Sequence, residues 1–441
     1  MLQAFRNIWR LPDVRNKLLI TGLILLVYQF AAHVPVVGVN GAALQQLLTP
    51  GATGAGLINV LNLLSGGAVR NFSVIANGVY PYITASIILQ LLIPIIPRLA
   101  ELQKEPGGRD TITRYTYYLA IPMGLLQAFG QIQIFNALTG TPIIPGFGSN
   151  FLLTVSVLFS MTAGTMFAVW LGELITEQGI GNGISLIIFS GIVAQAPTNL
   201  AQLMSDTAIS PLWNIGLFVV ITVVSIVVII FIQEGERRIP VQYGKRVRGS
   251  KQYGGARTFI PMKVNPVGMI PLIFAQAIVT LPAVVVSFFP EGPFGNSLRS
   301  TFGNQQGLLY WGFFFSLTVF FTFFYADVMI GNQDLASNLQ RNGGFIPGTR
   351  PGKPTQDFIT RVTRRISLVG AVFLGVIAIM PGVVDLLNSV LFSGAYSAGT
   401  SANAASVLTG SGLIILVGVV IETMRQLEAQ LVMRNYRGFM K

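Results

Sequence analysis

Few residues in this 441-residue chain could carry out chemistry. There is one histidine, His33, and no cysteine. A Cys nucleophile, a disulfide framework and a Cys/His zinc or iron–sulfur site are therefore excluded. A Ser-His-Asp triad would have to recruit His33, at the end of an apolar run, where a lone histidine is ordinarily interfacial or packed. No Walker A, H-E-x-x-H or G-x-S-x-G pattern occurs. The acids avoid the middles of the apolar stretches: Glu173, Asp327 and Glu422 lie near their ends, and Asp385 near the outer end of the ninth. Interfacial or capping roles are expected there. The chain is expected to be no enzyme and to hold neither cofactor nor metal. What could recognise a partner is basic. Arg237, Arg238, Lys245, Arg246, Arg248, Lys251 and Arg257 are interleaved with Tyr243 and Tyr253. Such a stretch suits RNA, such as that of the ribosome, or an acidic protein surface. The alternative is charge held against anionic lipid, worth about 1 kcal/mol per residue.

The elements that must position these residues are set by composition. Hydrophobic residues make up 52% of the chain and charged residues 10%, where a soluble domain carries roughly a quarter charged. Such a chain cannot hide its apolar surface in one soluble core, so an ordinary cytosolic enzyme is excluded. Stretches near the roughly 20 apolar residues that a membrane helix needs fall at 17–37, 75–96, 113–137, 151–173, 183–198, 212–233, 267–289, 307–328, 366–387 and 408–427. The fifth is short and the seventh contains Pro271 and Pro282, so these two are expected to be the least regular. No cleavable leader is expected at the basic start MLQAFRNIWRLPDVRNK. With the amino terminus inside and the spans alternating, 26 of the 28 basic residues face the cytoplasm, all but Arg70 and Arg299. That asymmetry predicts a multi-pass protein with both termini cytoplasmic.

The expected fold is therefore an all-α integral membrane protein of ten transmembrane helices in two five-helix halves, 1–200 and 201–441, joined by an external linker near 197–211. Because five is odd, the second half enters inverted, and the working site lies between the halves. Loops 234–265 and 329–365 are the soluble pieces of any size. The segment 57–83, LINVLNLLSGGAVRNFSVIANGVYPYI, begins as a helix too short to span, with Leu57, Val60, Leu61 and Leu64 on one face. It softens at Ser65-Gly66-Gly67-Ala68. Two readings stand: an external interfacial helix, or a re-entrant half-helix occupying a cavity.

GVYPYITASIILQLLIP (78–94) and WLGELITEQGIGNGISLIIFSGI (170–192) closely resemble two signature stretches of the SecY family of bacterial protein-export channels. PVQYGKRV (240–247), IPGTRPG (346–352) and IETMRQLEAQLVMRNYRGF (421–439) are similar to its later regions, so the resemblance runs along nearly the whole chain. It implies a clamshell with a lateral gate between spans two and three on one side and seven and eight on the other. It implies a plug at about 57–72, including Leu61, Leu64, Ser65, Gly66, Gly67, Ala68 and Arg70. It implies a pore ring of Val79, Ile83, Ile184, Ile188, Ile273 and Ile415, the last in GSGLII where the family more often has GTSLLI. Apolar constrictions disfavour water and ions while aliphatic side chains mould around any polypeptide.

By the same resemblance, the docking residues Arg237, Arg238, Lys245, Arg246, Arg248, Lys251 and Arg350 would meet the ribosome or the motor ATPase SecA. Arg350 matches a family position important for the motor-driven step. Small SecE-like and SecG-like membrane subunits would complete the complex. The implied activity is passage of unfolded preproteins across the bacterial plasma membrane and release of transmembrane segments sideways into the lipid bilayer. Two other readings of the residues remain at this point: a secondary solute transporter with inverted repeats, and an insertase without a pore.

Overall fold

The structure is a computed structural model that describes residues 12–41, 43–44, 61–62, 65–139, 142–205, 211–243, 245–248, 251–254, 257–286, 308–331, 335–380, 382–383 and 411–439. Each of the ten apolar segments lies on a helix. In chain order these are α1 (Pro12–Ala32), α2 (Tyr80–Leu92), α4 (Gly108–Thr139), α5 (Phe151–Gln178), α6 (Gly183–Ser205), α7 (Pro211–Glu234), α8 (Ile270–Val286), α9 (Leu308–Gly331), α11 (Lys353–Ala378) and α12 (Ser411–Phe439). Two short helices, α3 (Pro97–Lys104) and α10 (Leu335–Arg341), lie between them. Among the described residues, four helices are long and apolar enough to cross a membrane alone: Pro12–Ala32, Gly108–Asn136, Phe151–Gln178 and Leu308–Val328. Tyr80–Leu92 and Pro97–Gln103, bent by 106°, would make a fifth as one broken span.

The helices are apolar on both faces, as a bilayer requires. On α1 the buried residues Val14, Thr21, Ile24, Tyr28 and Ala32 form one stripe. Leu19, Leu23, Leu26 and Phe30 form a second, exposed stripe at the same helical spacing. Hydroxyls within the helices return to their own backbone: Thr84, Thr165, Thr318 and Thr322 each donate to the carbonyl four residues back. That satisfies them without water. Pro122, Pro197 and Pro282 sit inside α4, α6 and α8, where packed neighbours in a membrane protein can meet the freed backbone groups. Pro81 lies in the first turn of α2, where its missing N–H costs nothing.

Packing follows one order twice. α2 packs on α4, α4 on α5, α5 on α6 and α1 on α6; correspondingly α8 packs on α9, α9 on α11, α11 on α12 and α7 on α12. Between the two groups, α8 touches α2 and α4, while α12 and α7 touch α6. Small residues permit the closest approaches. A Cβ on Gly164 would overlap the Val74 carbonyl, and one on Gly183 would overlap Gly172.

Three features depart from the sequence expectations. α6, expected to be short, continues through 197–205, so the described part of the external linker is helical. α11 starts at Lys353, well before the expected 366, because its first turns are amphipathic and bury Thr355 and Ile359. The segments expected to be cytoplasmic loops add β-structure to an otherwise helical chain. β1 (Glu236–Tyr243), β4 (Arg257–Lys263) and β5 (Gly344–Phe345) form a sheet in the order β4-β1-β5, and β2 (Lys245–Arg248) pairs with β3 (Lys251–Gly254). Glu236 opposes Lys263 and Gln242 opposes Arg257 in one antiparallel ladder. Gln242 and Tyr243 oppose Phe345 and Gly344 in the other.

Candidate functional site

The six aliphatic positions expected to form the ring come from four helices and belong to one apolar cluster. Val79 caps the amino end of α2 and Ile83 lies one turn inside it. Ile184 and Ile188 are one turn apart on α6, Ile273 is on α8 and Ile415 on α12. Val79, Ile83, Ile188, Ile273 and Ile415 are buried in one continuous apolar cluster, and half-buried Ile184 packs against it. Among the described residues no Asp, Glu, Lys, Arg or His is buried anywhere in the molecule. The apolar cluster that holds these positions contains no charged side chain, the composition that disfavours water and ions in a constriction.

The segment 61–72, of which Leu63 and Leu64 are outside the described residues, meets α6 where Gly66 approaches Ile187. Residues 61–62 are helical, 65–67 turn, and Ala68–Asn71 form a single 3-10 turn. Leu61, Ser65, Ala68 and Val69 are buried. Gly66 and Gly67 adopt φ of 64° and 96°, left-handed values that suit glycine. A Cβ on Gly191 of α6 would overlap the Gly66 backbone, so two glycines meet where the turn touches the helix. The Tyr28 hydroxyl on α1 donates to the Ser65 carbonyl. Asn62 Nδ2 donates to Gln195 Oε1 of α6 at 2.7 Å, and the Arg70 amide donates to Asn62 Oδ1 at 3.1 Å. Ser65 Oγ accepts from the Val69 amide at 3.2 Å.

The segment ends at Phe72, the one non-glycine residue with positive φ among those described, at 42°. Its ring is fully buried and meets Phe135 edge-on at 5.4 Å. Two backbone bonds bracket it: Val36 N–H donates to Phe72 O and Val74 N–H to Val34 O, both at 3.0 Å. Tertiary contacts thus hold a strained residue in place. Tyr28, Asn62, Gly191 and Gln195 were not singled out by sequence reasoning. Their signal is polar or minimal side chains within apolar runs, which membrane helices keep for contacts with protein.

The residues expected to dock partners lie on β1, on the β2/β3 ribbon and on the tip after β5. Arg237 and Arg238 on β1 are exposed, and the Arg238 guanidinium lies 4.8 Å over the Phe259 ring. Lys245, Arg246 and Arg248 lie on β2 and Lys251 on β3, with side chains outside the described residues. Arg350 is exposed on the tip between β5 and α11, where its carbonyl accepts from Thr355 Oγ1 at 2.8 Å. Glu234 pairs with Arg425 at 2.8 Å and Asp327 with Arg364 at 3.0 Å, solvent-accessible ion pairs between α7 and α12 and between α9 and α11.

Comparison with known proteins places this arrangement in a family. The SecY family model matches residues 73–424. Protein translocase subunit SecY of Bacillus licheniformis is 40% identical over 454 residues, and that of Bacillus subtilis 39% over 450, each alignment covering all of both chains. Among solved structures, one described as a protein conducting channel superposes with a TM-score of 0.62 at 16% identity. One concerned with the plug domain of SecY superposes with a TM-score of 0.60 at 18% identity. Sec61 in a canine ribosome-channel complex superposes with a TM-score of 0.60 at 16% identity. Each of these three covers 96% of both chains. The chain belongs to the SecY family of protein translocase subunits.

Proposed function

We propose that this chain is the pore-forming subunit of a bacterial translocase, with ten spans in two inverted halves and both termini cytoplasmic. It passes unfolded preproteins across the plasma membrane and releases transmembrane segments laterally between α2/α4 and α8/α9. One observation carries the reading: a glycine-rich turn rests on α6 at Gly191, three residues from Ile188 in an apolar cluster that joins helices of both groups. The twofold repetition of the helix packing order supports the inverted halves. Val79, Ile83, Ile184, Ile188, Ile273 and Ile415 form the ring. Leu61, Leu64, Ser65, Gly66, Gly67, Ala68 and Arg70 belong to the plug. The exposed arginines of the cytoplasmic loops meet the ribosome or SecA, which supply the energy, and SecE-like and SecG-like subunits brace the halves.

The test is deletion of 60–70 in planar bilayers, together with crosslinking from Ile83 to a stalled signal-bearing chain. Raised ion conductance and a crosslink are expected. Background conductance with accumulation of a small solute would favour the transporter reading instead. Among the described residues no Asp, Glu, Lys, Arg or His is buried on which to load a coupling ion. A secreted protein that never crosslinks to Ile83 or Ile188 would favour a pore-less insertase.

A further inference from the structure

We propose that the two cytoplasmic loops form one docking body, in which Ile239, Val241, Ile346 and Ile359 are positioning residues that hold Arg237, Arg238 and Arg350 together for the ribosome. The inference rests on the docking reading above and adds that the loops do not act separately.

The loops share a core of their own, separate from the membrane core. Ile239 and Val241 of β1, Leu339 of α10, Ile346 after β5 and Ile359 of α11 are buried against one another, flanked by Tyr243, Ile260 and Phe358. Ile239 and Val241 alternate along β1, so they face the same side. The strand they anchor carries Arg237 and Arg238. On the other loop, β5 is pressed against β1 so closely that a Cβ on Gly344 would lie 3.1 Å from Tyr243 Cε1 and 3.4 Å from Val241 Cγ1. Ile346 then enters the shared core, and the Thr349 amide and hydroxyl both donate to its carbonyl at 3.1 Å. Thr355 secures the Arg350 carbonyl where the chain enters α11. A lone two-stranded ribbon is marginal in water. The third strand and the shared core convert the ribbon and the Arg350 tip into one body. A polyphosphate surface such as ribosomal RNA is the partner that several fixed arginines suit.

The test uses the full chain with its small partner subunits in lipid nanodiscs, and purified ribosomes as the probe, titrated across a salt series. Ile346→Asn removes no charge. It is expected to weaken binding by about tenfold with the salt slope unchanged, and Ile346→Val should restore affinity. Gln242 and Phe345 are register partners, and antiparallel Cα spacing suits a disulfide. The chain has no cysteine of its own, so Gln242→Cys with Phe345→Cys should oxidise cleanly, leave ribosome affinity intact and rescue Ile346→Asn. Failure of that disulfide to form, or wild-type affinity in Ile346→Asn, would overturn the shared body. A third variant, Arg237→Ala with Arg238→Ala and Arg350→Ala, separates the two ideas. If it weakens binding while Ile346→Asn does not, only the shared body falls. If it leaves affinity and salt slope unchanged, the docking reading falls and takes the shared body with it.

Discussion

Val79 and Ile415 at the constriction are 0% exposed, and so is Val241 in the cytoplasmic sheet. The same degree of burial serves opposite ends. In the proposed ring the hidden side chains would themselves be the working surface, because they would form the seal. Around the sheet β4-β1-β5 the hidden side chains would only carry the proposed docking surface, the exposed Arg237, Arg238 and Arg350. A substitution that adds polarity should therefore act directly in the first region and at one remove in the second. Loss of charge should matter only in the second.

The sharpest way to break this contrast is Ile188→Asp. It buries a carboxylate with no partner, a defect costing about 3–5 kcal/mol, and should raise bilayer ion conductance even with no substrate present. Next comes Gly191→Val, whose added carbons collide with the Gly66 backbone. Overpacking of about 1–3 kcal/mol should lower the seated plug population by about 5- to 150-fold, read as single-channel open probability. Arg237→Ala with Arg238→Ala should leave conductance at its resting level. It should reduce the log–log salt slope of ribosome binding by about 1.5 to 2. Tyr28→Phe deletes one hydrogen bond to the Ser65 carbonyl. At about 1 kcal/mol, the loss should speed maleimide labelling of a Ser65→Cys probe about fivefold. Smallest is Asp327→Asn. Its pair with Arg364 is solvent-exposed, with 64% of the arginine side chain accessible, so no measurable change in Tm is expected.

How much of this was legible in the sequence follows the physics of each element. The helices are readable from apolar runs because a helix satisfies its own backbone in lipid. Their ends are less so. The first turns of α11 lie in water and bury only one face, and α6 runs past Pro197 without any hydropathy signal. Nothing in periodicity separates Ile188 from an isoleucine facing lipid, and the ring positions were reached through family resemblance. The sheet was hidden by Pro240 and Pro261, which argue against strands. Their tolerance has a structural reason: β4 is an edge strand, and β5 pairs with β1 only at Gln242 and Tyr243, beyond Pro240. The contacts of Tyr28 with Ser65 and of Asn62 with Gln195 join residues far apart in sequence, so no local pattern announces them.

Phe72 sets a leash. It is locked between Phe135 and the bonds to Val34 and Val36, while six residues upstream Gly66 rests against α6. Six extended residues span about 20 Å. If Phe72 holds, the glycine turn can clear the constriction but cannot drift away from it. Its return is then a first-order event at the effective concentration set by a short tether, in the millimolar range. Resealing after each substrate would depend on that leash and not on recruiting any other component.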